Sequence, residues 1–183
     1  YRMVALYAIR QGWAAPDTIN ARAINASLDK VNLAFARDAR GQNRAILNGE
    51  DVEEAIRTME VSRVVSSVSS LVPVRRRLVA QQQAMGHSQS LVMDGRDIGT
   101  VVFPDAELKL FVTADVDVRA TRRFAEMESA NPGAVSLAEV KANLLQRDQE
   151  DRERLDSPLL QAQDAVVLDN SSVSPDELFE QAM

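Results

Sequence analysis

The residues able to do chemistry gather in three short stretches. In Leu91-Val92-Met93-Asp94-Gly95-Arg96-Asp97-Ile98-Gly99-Thr100, an apolar run feeds a glycine-punctuated loop that carries an arginine beside an aspartate. A guanidinium fork next to a carboxylate can grip an anion and accept from a nearby donor, and the glycines let backbone come close to a ligand. The same pair can instead satisfy itself in a surface turn. The second stretch is Arg147-Asp148-Gln149-Glu150-Asp151-Arg152-Glu153-Arg154. On a helix, Arg147, Asp151 and Arg154 fall at i, i+4 and i+7 and share a face, while Asp148 and Arg152 share another. The first face offers two guanidinium groups around a carboxylate, suited to a phosphate and a sugar hydroxyl; the competing reading is a solvated helix laced with ion pairs. The third stretch runs from Ser66 through Pro73 to Arg75-Arg76-Arg77. Three arginines in the first turns of a helix oppose its dipole, so either they face water in separate directions or one is held by an anion or an acceptor.

Composition frames these stretches. Of the 21 basic residues 18 are arginine, and only Lys30, Lys109 and Lys141 are lysine. Arginine pairs bidentately with phosphate or carboxylate as lysine does not, although codon usage in a GC-rich genome gives the same excess. Against 27 acidic residues the formal net charge is -6, which argues against a broad nucleic-acid footprint, since that would need a basic face. The absence of cysteine removes Cys-ligated zinc, thiol nucleophiles and redox motifs, and suits a reducing cytosol. No apolar run approaches the ~18 residues of a membrane-spanning helix. The single histidine, His87, falls in a helix-to-strand connection and is given no role.

The elements that must position these residues are read from periodicity and turn signals. Tyr1 to Gln11 reads as a helix ended by Gly12, and Pro16-Asp17-Thr18 reads as the start of a second helix reaching about Ser27. Val31 to Arg37 and Arg44 to Leu47 form a β-hairpin, Asn48-Gly49-Glu50-Asp51 a turn, and Val52 to about Ser70 helical segments. A helix follows from Pro73 to Met85. Ser90 to Asp94, Leu108 to Thr113 and Ala165 to Leu168 have the length and composition of buried strands, with helices at about 116–129, 136–153 and 174–183 between and after them. Short apolar strands alternating with helices predict an α/β fold with a parallel sheet, and place Arg96 and Asp97 beyond the carboxyl end of a strand, where such sheets bind ligands.

Ser66 with Pro73 and Arg75, the Asp94-Gly95-Arg96-Asp97 loop followed by Gly99-Thr100-Val101-Val102-Phe103-Pro104-Asp105-Ala106, and Arg147-Asp148 through Arg154 together resemble the bacterial cytidylate kinases. That family belongs to the P-loop nucleoside monophosphate kinases. The similarity runs from Tyr1-Arg2 to Leu168-Asp169 and includes Gly49-Glu50-Asp51-Val52. The resemblance implies transfer of the γ-phosphoryl group of ATP to CMP or dCMP with Mg²⁺, in a cytoplasmic monomer with no nucleic-acid or membrane partner. It implies that Ser66, Arg75 and Asp97 read the cytosine edge, that Arg2 and Arg96 hold the CMP phosphate, and that Arg147, Asp151 and Arg154 grip sugar and phosphates. Arg96, Arg147 and Arg154 are then the catalytic arginines. Arg119, Arg122 and Arg123 are candidates for the ATP phosphates, with surface pairing as the other reading. The implied fold is a three-layer P-loop-type parallel sheet with helices on both faces. Its core would comprise 1–15, 71–130 and 155–183, with a CMP-binding insert at 16–70 and a lid with its following helix at 131–154.

One departure from the family stands out. Such a kinase cradles the donor phosphates in a glycine-rich loop ending in Lys-Ser/Thr, and here none of the three lysines follows a glycine. In the family the strand bearing that loop lies between those corresponding to 91–94 and 108–113. The expectation is therefore a fragment without the first two strands, unable by itself to phosphorylate CMP. The alternative is a non-catalytic remnant of the fold that binds a nucleotide or a partner.

Overall fold

The first helix, α1 (Arg2–Arg10), turns Met3, Val4, Ala5, Leu6 and Ala8 inward. It stops where Gly12 takes φ +70° and donates its N–H to Ile9 C=O, a left-handed cap that glycine adopts without steric cost. The computed structural model describes residues 1–88 and 90–183, and the chain divides into two units, Tyr1–Leu78 and Val79–Met183, with the division inside one helix.

In the first unit, β1 (Ala14–Ala15) and β2 (Thr18–Ile19) pair antiparallel around Pro16 and Asp17, and α2 spans Ala21–Ser27. The expected helix start at Pro16 is thus corrected: Asn20 is the cap, its Oδ1 accepting from Ala23 N–H at 3.0 Å. An asparagine cap supplies an acceptor that Pro16 lacks, and Asn20 N–H donates to Trp13 C=O at 2.7 Å, closing the hairpin first. The predicted hairpin follows as β3 (Leu33–Arg37) and β4 (Asn43–Leu47), in register from Leu33 opposite Leu47 to Arg37 opposite Asn43. Asn48 and Gly49 both have positive φ, 52° and 87°, the turn that an Asn-Gly pair favours, and it returns the chain as β5 (Glu50–Asp51) against β4. Next comes α3 (Met59–Ser69), capped by Thr58 Oγ1, then α4 (Val72–Ser88). Val61, Val64 and Val68 of α3 join Val4 of α1, Ile24 of α2 and Val74 of α4 in one buried cluster. Each such side chain contributes about 1.5–3 kcal/mol by leaving water.

The second unit takes the rest of α4, a π-helical turn at Ile98–Val102, β6 (Leu110–Thr113), α5 (Val116–Ala130), α6 (Leu137–Glu153), β7 (Val166–Asp169) and α7 (Pro175–Ala182). Asp115 caps α5, and Ser136 with Glu139 and Ser174 with Glu177 form capping boxes on α6 and α7. β6 and β7 run parallel, Leu110 opposite Val166 and Thr113 opposite Asp169, with α5 and α6 in the crossover that parallel pairing demands. The fold is mixed α/β, but the expected strand at Ser90–Asp94 is corrected. Residues 91–94 belong to no ladder. An apolar run becomes a strand only beside a partner that pairs its backbone groups, and among the described residues no strand is paired with it. Gly86 of α4 is in close contact with Phe103: a Cβ at Gly86 would stand 2.5 Å from a ring carbon. No helix among the described residues is long and apolar enough to cross a membrane.

Candidate active site

In the second unit the loop arginine and the α6 carboxylates come together. Asp97 C=O accepts from Val101 N–H at 2.9 Å and Val102 N–H at 3.2 Å, so the π-helical turn behind it fixes where Arg96 and Asp97 emerge. Arg96 Nη1 donates to Asp148 Oδ1 at 2.8 Å and to Asp151 Oδ2 at 2.9 Å. The remaining oxygens of those carboxylates are also occupied. Asp148 Oδ2 accepts from Arg119 Nη1 at 2.6 Å, and Asp151 Oδ1 accepts from Arg154 Nη1 at 2.8 Å. Arg119 is itself anchored by its Nε, which donates to Ala114 C=O just past β6 at 3.1 Å. Arg154 Nε donates to Asp156 C=O at 2.9 Å, in a turn where Ser157 takes φ 54°.

Asp148 and Asp151 are only 6% and 3% exposed. Burial alone would raise the Asp148 carboxyl, yet the hydrogen bonds from Arg119 and Arg96 outweigh it and hold the group below the usual carboxylate range. The Arg147 pKa is lowered as well, by burial first and then by the nearby Arg96 charge, with Asp151 and Asp148 opposing. It stays charged at neutral pH because an arginine starts so high. Arg96, Arg119 and Asp148 line an open cleft of about 640 Å³ with Gly95, Gly99 and Thr100.

Of the other arginines of α5, Arg123 adds its charge to those that lower Arg147, whereas Arg122 turns to the end of β7. Arg122 forks onto Asn170, donating to its C=O at 2.8 Å and its Oδ1 at 2.9 Å, and Arg123 pairs with Glu126 at 2.9 Å. On α6, Asp151 pairs with Arg154 and acts on the charge of Arg147, while Asp148 and Arg152 both line the cleft. Asp148 and Asp151, three residues apart, both reach Arg96, while Arg152 is exposed. Positions i and i+3 are neighbours on a helix surface, a signal available in the sequence that strict i, i+4 spacing passes over.

In the first unit, Arg75 is the buried arginine of the triplet. It is 2% exposed, its Nη1 donates to Ser69 C=O at 3.0 Å, and its guanidinium carbon lies 5.0 Å from the centre of the Tyr1 ring. Arg77 reaches Asp29 at 2.7 Å, and Arg76 is exposed. Ser66 is buried on α3, and Arg2 Nη1 donates to Ile56 C=O at 2.8 Å.

No cluster of three or more His, Asp or Glu side chains among the described residues could hold a metal ion. With all four oxygens of Asp148 and Asp151 accepting from guanidinium groups, this carboxylate pair does not fit a resident Mg²⁺.

The family model for cytidylate kinase matches residues 1–183. This chain belongs to the cytidylate kinase family. A cytidylate kinase of Parabacteroides distasonis is 50% identical over 178 residues, covering 97% of this chain and 77% of that protein. Cytidylate kinases of Flavobacterium johnsoniae and Bacteroides fragilis are 46% and 47% identical over 180 and 175 residues, covering 98% and 95% of this chain and 78% and 76% of their own lengths. The chain thus spans about three quarters of these members of the cytidylate kinase family, at an identity that makes it a nucleoside monophosphate kinase by kinship.

Proposed function

We propose that this chain forms the acceptor side of a kinase that moves the γ-phosphoryl group of ATP onto CMP or dCMP. One observation carries the reading: Arg96, Arg119 and Arg154 meet two buried aspartates beside Arg147, so cationic groups outnumber anionic ones in this cluster. That imbalance suits a phosphate monoester. Phosphoryl transfer needs no protein nucleophile, only in-line placement and neutralisation of charge spread over the transferring group, which fixed guanidinium groups supply. In this reading Arg2 and Arg96 hold the CMP phosphate, and Arg147, Asp151 and Arg154 hold sugar and phosphates, with Arg96, Arg147 and Arg154 acting in catalysis. Asp97 accepts from the exocyclic amine of cytosine while Arg75 and Ser66 donate to its ring acceptors, a pattern that uracil does not match. Mg²⁺ would come with the ATP phosphates, neutralising their charge.

The finer architecture belongs to the same proposal: a three-layer P-loop-type sheet with helices on both faces, a CMP-binding insert at 16–70 and a lid with its following helix at 131–154, working as a cytoplasmic monomer. Donor-phosphate contacts are assigned to Arg119, Arg122 and Arg123 only as candidates. The lack of any Gly-Lys step in the chain favours one second reading, a non-catalytic nucleotide binder of the same fold. By itself the chain is expected to form no CDP under either reading; ATP-dependent CDP formation once a segment bearing the glycine-rich donor loop is supplied separates the two.

Base choice is tested by titration calorimetry with CMP and UMP. The reading expects CMP to bind at least about tenfold tighter, and Asp97→Asn to erase most of that preference. Equal affinities in the unaltered protein would remove the cytosine assignment.

A further inference from the structure

We propose that Asp148 is a positioning residue for the acceptor phosphate, one carboxylate that aims Arg96 at that phosphate and fixes its spacing from Arg119, the candidate for the donor phosphates. The inference rests on the CMP-acceptor reading and extends it to a residue to which neither the motif pattern nor the family resemblance gives a role.

The geometry points to this role in three ways. Asp148 divides its oxygens, Oδ1 taking Arg96 at 2.8 Å and Oδ2 taking Arg119 at 2.6 Å, so neither arginine can turn without losing a short charge-assisted bond. The two arginines come from separate parts of the chain: Arg96 from the loop after residues 91–95, Arg119 from the first turns of α5, where its Nε is fastened to Ala114 C=O. The carboxylate is 6% exposed, whereas the Arg96 and Arg119 side chains keep 30% and 34% of their surface and line the cleft with it. Asp148 is therefore the buried hub, and the arginines are the parts left to meet a ligand. Each guanidinium presents five N–H donors, and the contacts with Asp148 use one nitrogen of each. Asp151 cannot replace it, because its Oδ2 reaches Arg96 but its Oδ1 is taken by Arg154.

A purely electrostatic role predicts the opposite of positioning. An aspartate beside a phosphate site repels the phosphate, so Asp148→Asn should tighten CMP if charge were all that mattered. If Asp148 positions, the asparagine loses CMP: its amide oxygen can serve one guanidinium, and its NH₂ faces the other as donor against donor.

The test is calorimetric affinity for CMP and for cytidine, which lacks the phosphate, on the full chain and on Asp148→Asn and Asp148→Glu, each checked for folding by circular dichroism. The cytidine-to-CMP ratio of dissociation constants isolates the phosphate contribution, which general damage to the fold would not move selectively. The expected result is a fall in this ratio of at least about tenfold for Asn, with cytidine affinity within about twofold of the parent. The glutamate keeps the charge but extends the reach by a methylene, so it should lower the ratio by a smaller factor. It carries the test alone if the asparagine variant does not fold. A ratio that is unchanged in Glu, or unchanged or raised in Asn, overturns the positioning role while leaving the CMP reading intact. A parent protein that binds CMP no more tightly than cytidine overturns the acceptor reading, and this inference with it.

Discussion

At the scale of single residues, the arginines divide by what holds them. Arg10 and Arg44 meet Glu50 and Asp51 at exposed positions, where an ion pair contributes little to stability. Arg75 is buried between a carbonyl and an aromatic ring, and there a lysine is no substitute, because an ammonium neither stacks nor forks. Arg75→Lys is accordingly expected to reduce the preference for CMP over UMP by about tenfold or more, measured by competition binding. The buried carboxylates make a pH prediction. The pKa of Asp148 is depressed in the folded protein, so its contribution to stability is fully present above the unfolded value of about 3.9 and is lost as pH falls through the lower folded value. Melting temperatures followed from pH 7 down to about pH 2.5 should therefore drop most steeply below pH 4, and Asp148→Asn should flatten that acid limb. Much of this chemistry is legible in the sequence, since the arginine–aspartate clustering of 94–97 and 147–154 is written in the residue types. That Asp148 sits at the hub is not, because helical spacing names neighbours on one helix but says nothing of an arginine arriving from a loop 52 residues earlier.

At the scale of elements, local chemistry decides most outcomes. Asn48-Gly49, Thr58, Ser136 and Ser174 all act where turn and cap preferences put them. The two departures from expectation both involve partners. Pro16 has the character of a helix start because proline suits a first turn, but Asn20, four residues on, offers the better cap, and the intervening residues close a hairpin. Residues 91–94 have the apolar content of a strand, yet pairing is a property of two segments and periodicity reports on one. Asn20→Ala should cost about 1 kcal/mol in urea unfolding, the usual value of a lost cap. Gly86→Ala weighs two opposed effects. Helix propensity favours alanine by about 0.8–1 kcal/mol, whereas a methyl group 2.5 Å from the Phe103 ring demands a repacking that typically costs about 1–3 kcal/mol. Overlap this severe with a rigid ring puts the balance on the destabilising side, and a lowered melting temperature is the expected outcome.

At the scale of the whole molecule, the two units are unequally filled. The contiguous buried cluster lies within residues 3–78, whereas the buried apolar residues of the second unit are Val102, Ala120, Val140 and Leu168. In that unit Leu110, Val112, Val166 and Val167 of the parallel pair remain substantially exposed. Few buried contacts mean low local opening free energies, so amide hydrogen exchange should protect α3 far longer than β6 and β7. Equal protection of the three would contradict this distribution of burial. Ile24→Ala, in the filled unit, should cost about 2–5 kcal/mol by the same measure of packing. The parallel register has a further consequence, in time rather than energy. Leu110 pairs with Val166, 56 residues later, whereas Leu33 meets Leu47 after only 14. A ribosome adding roughly 5–20 residues per second makes the β3–β4 hairpin within about 1–3 s, but keeps β6 waiting on the order of 3–11 s for the strand it pairs with. During that interval the nascent chain carries an apolar strand with an open edge, and synthesis rate between Thr113 and Val166 becomes a variable on which the yield of folded protein depends.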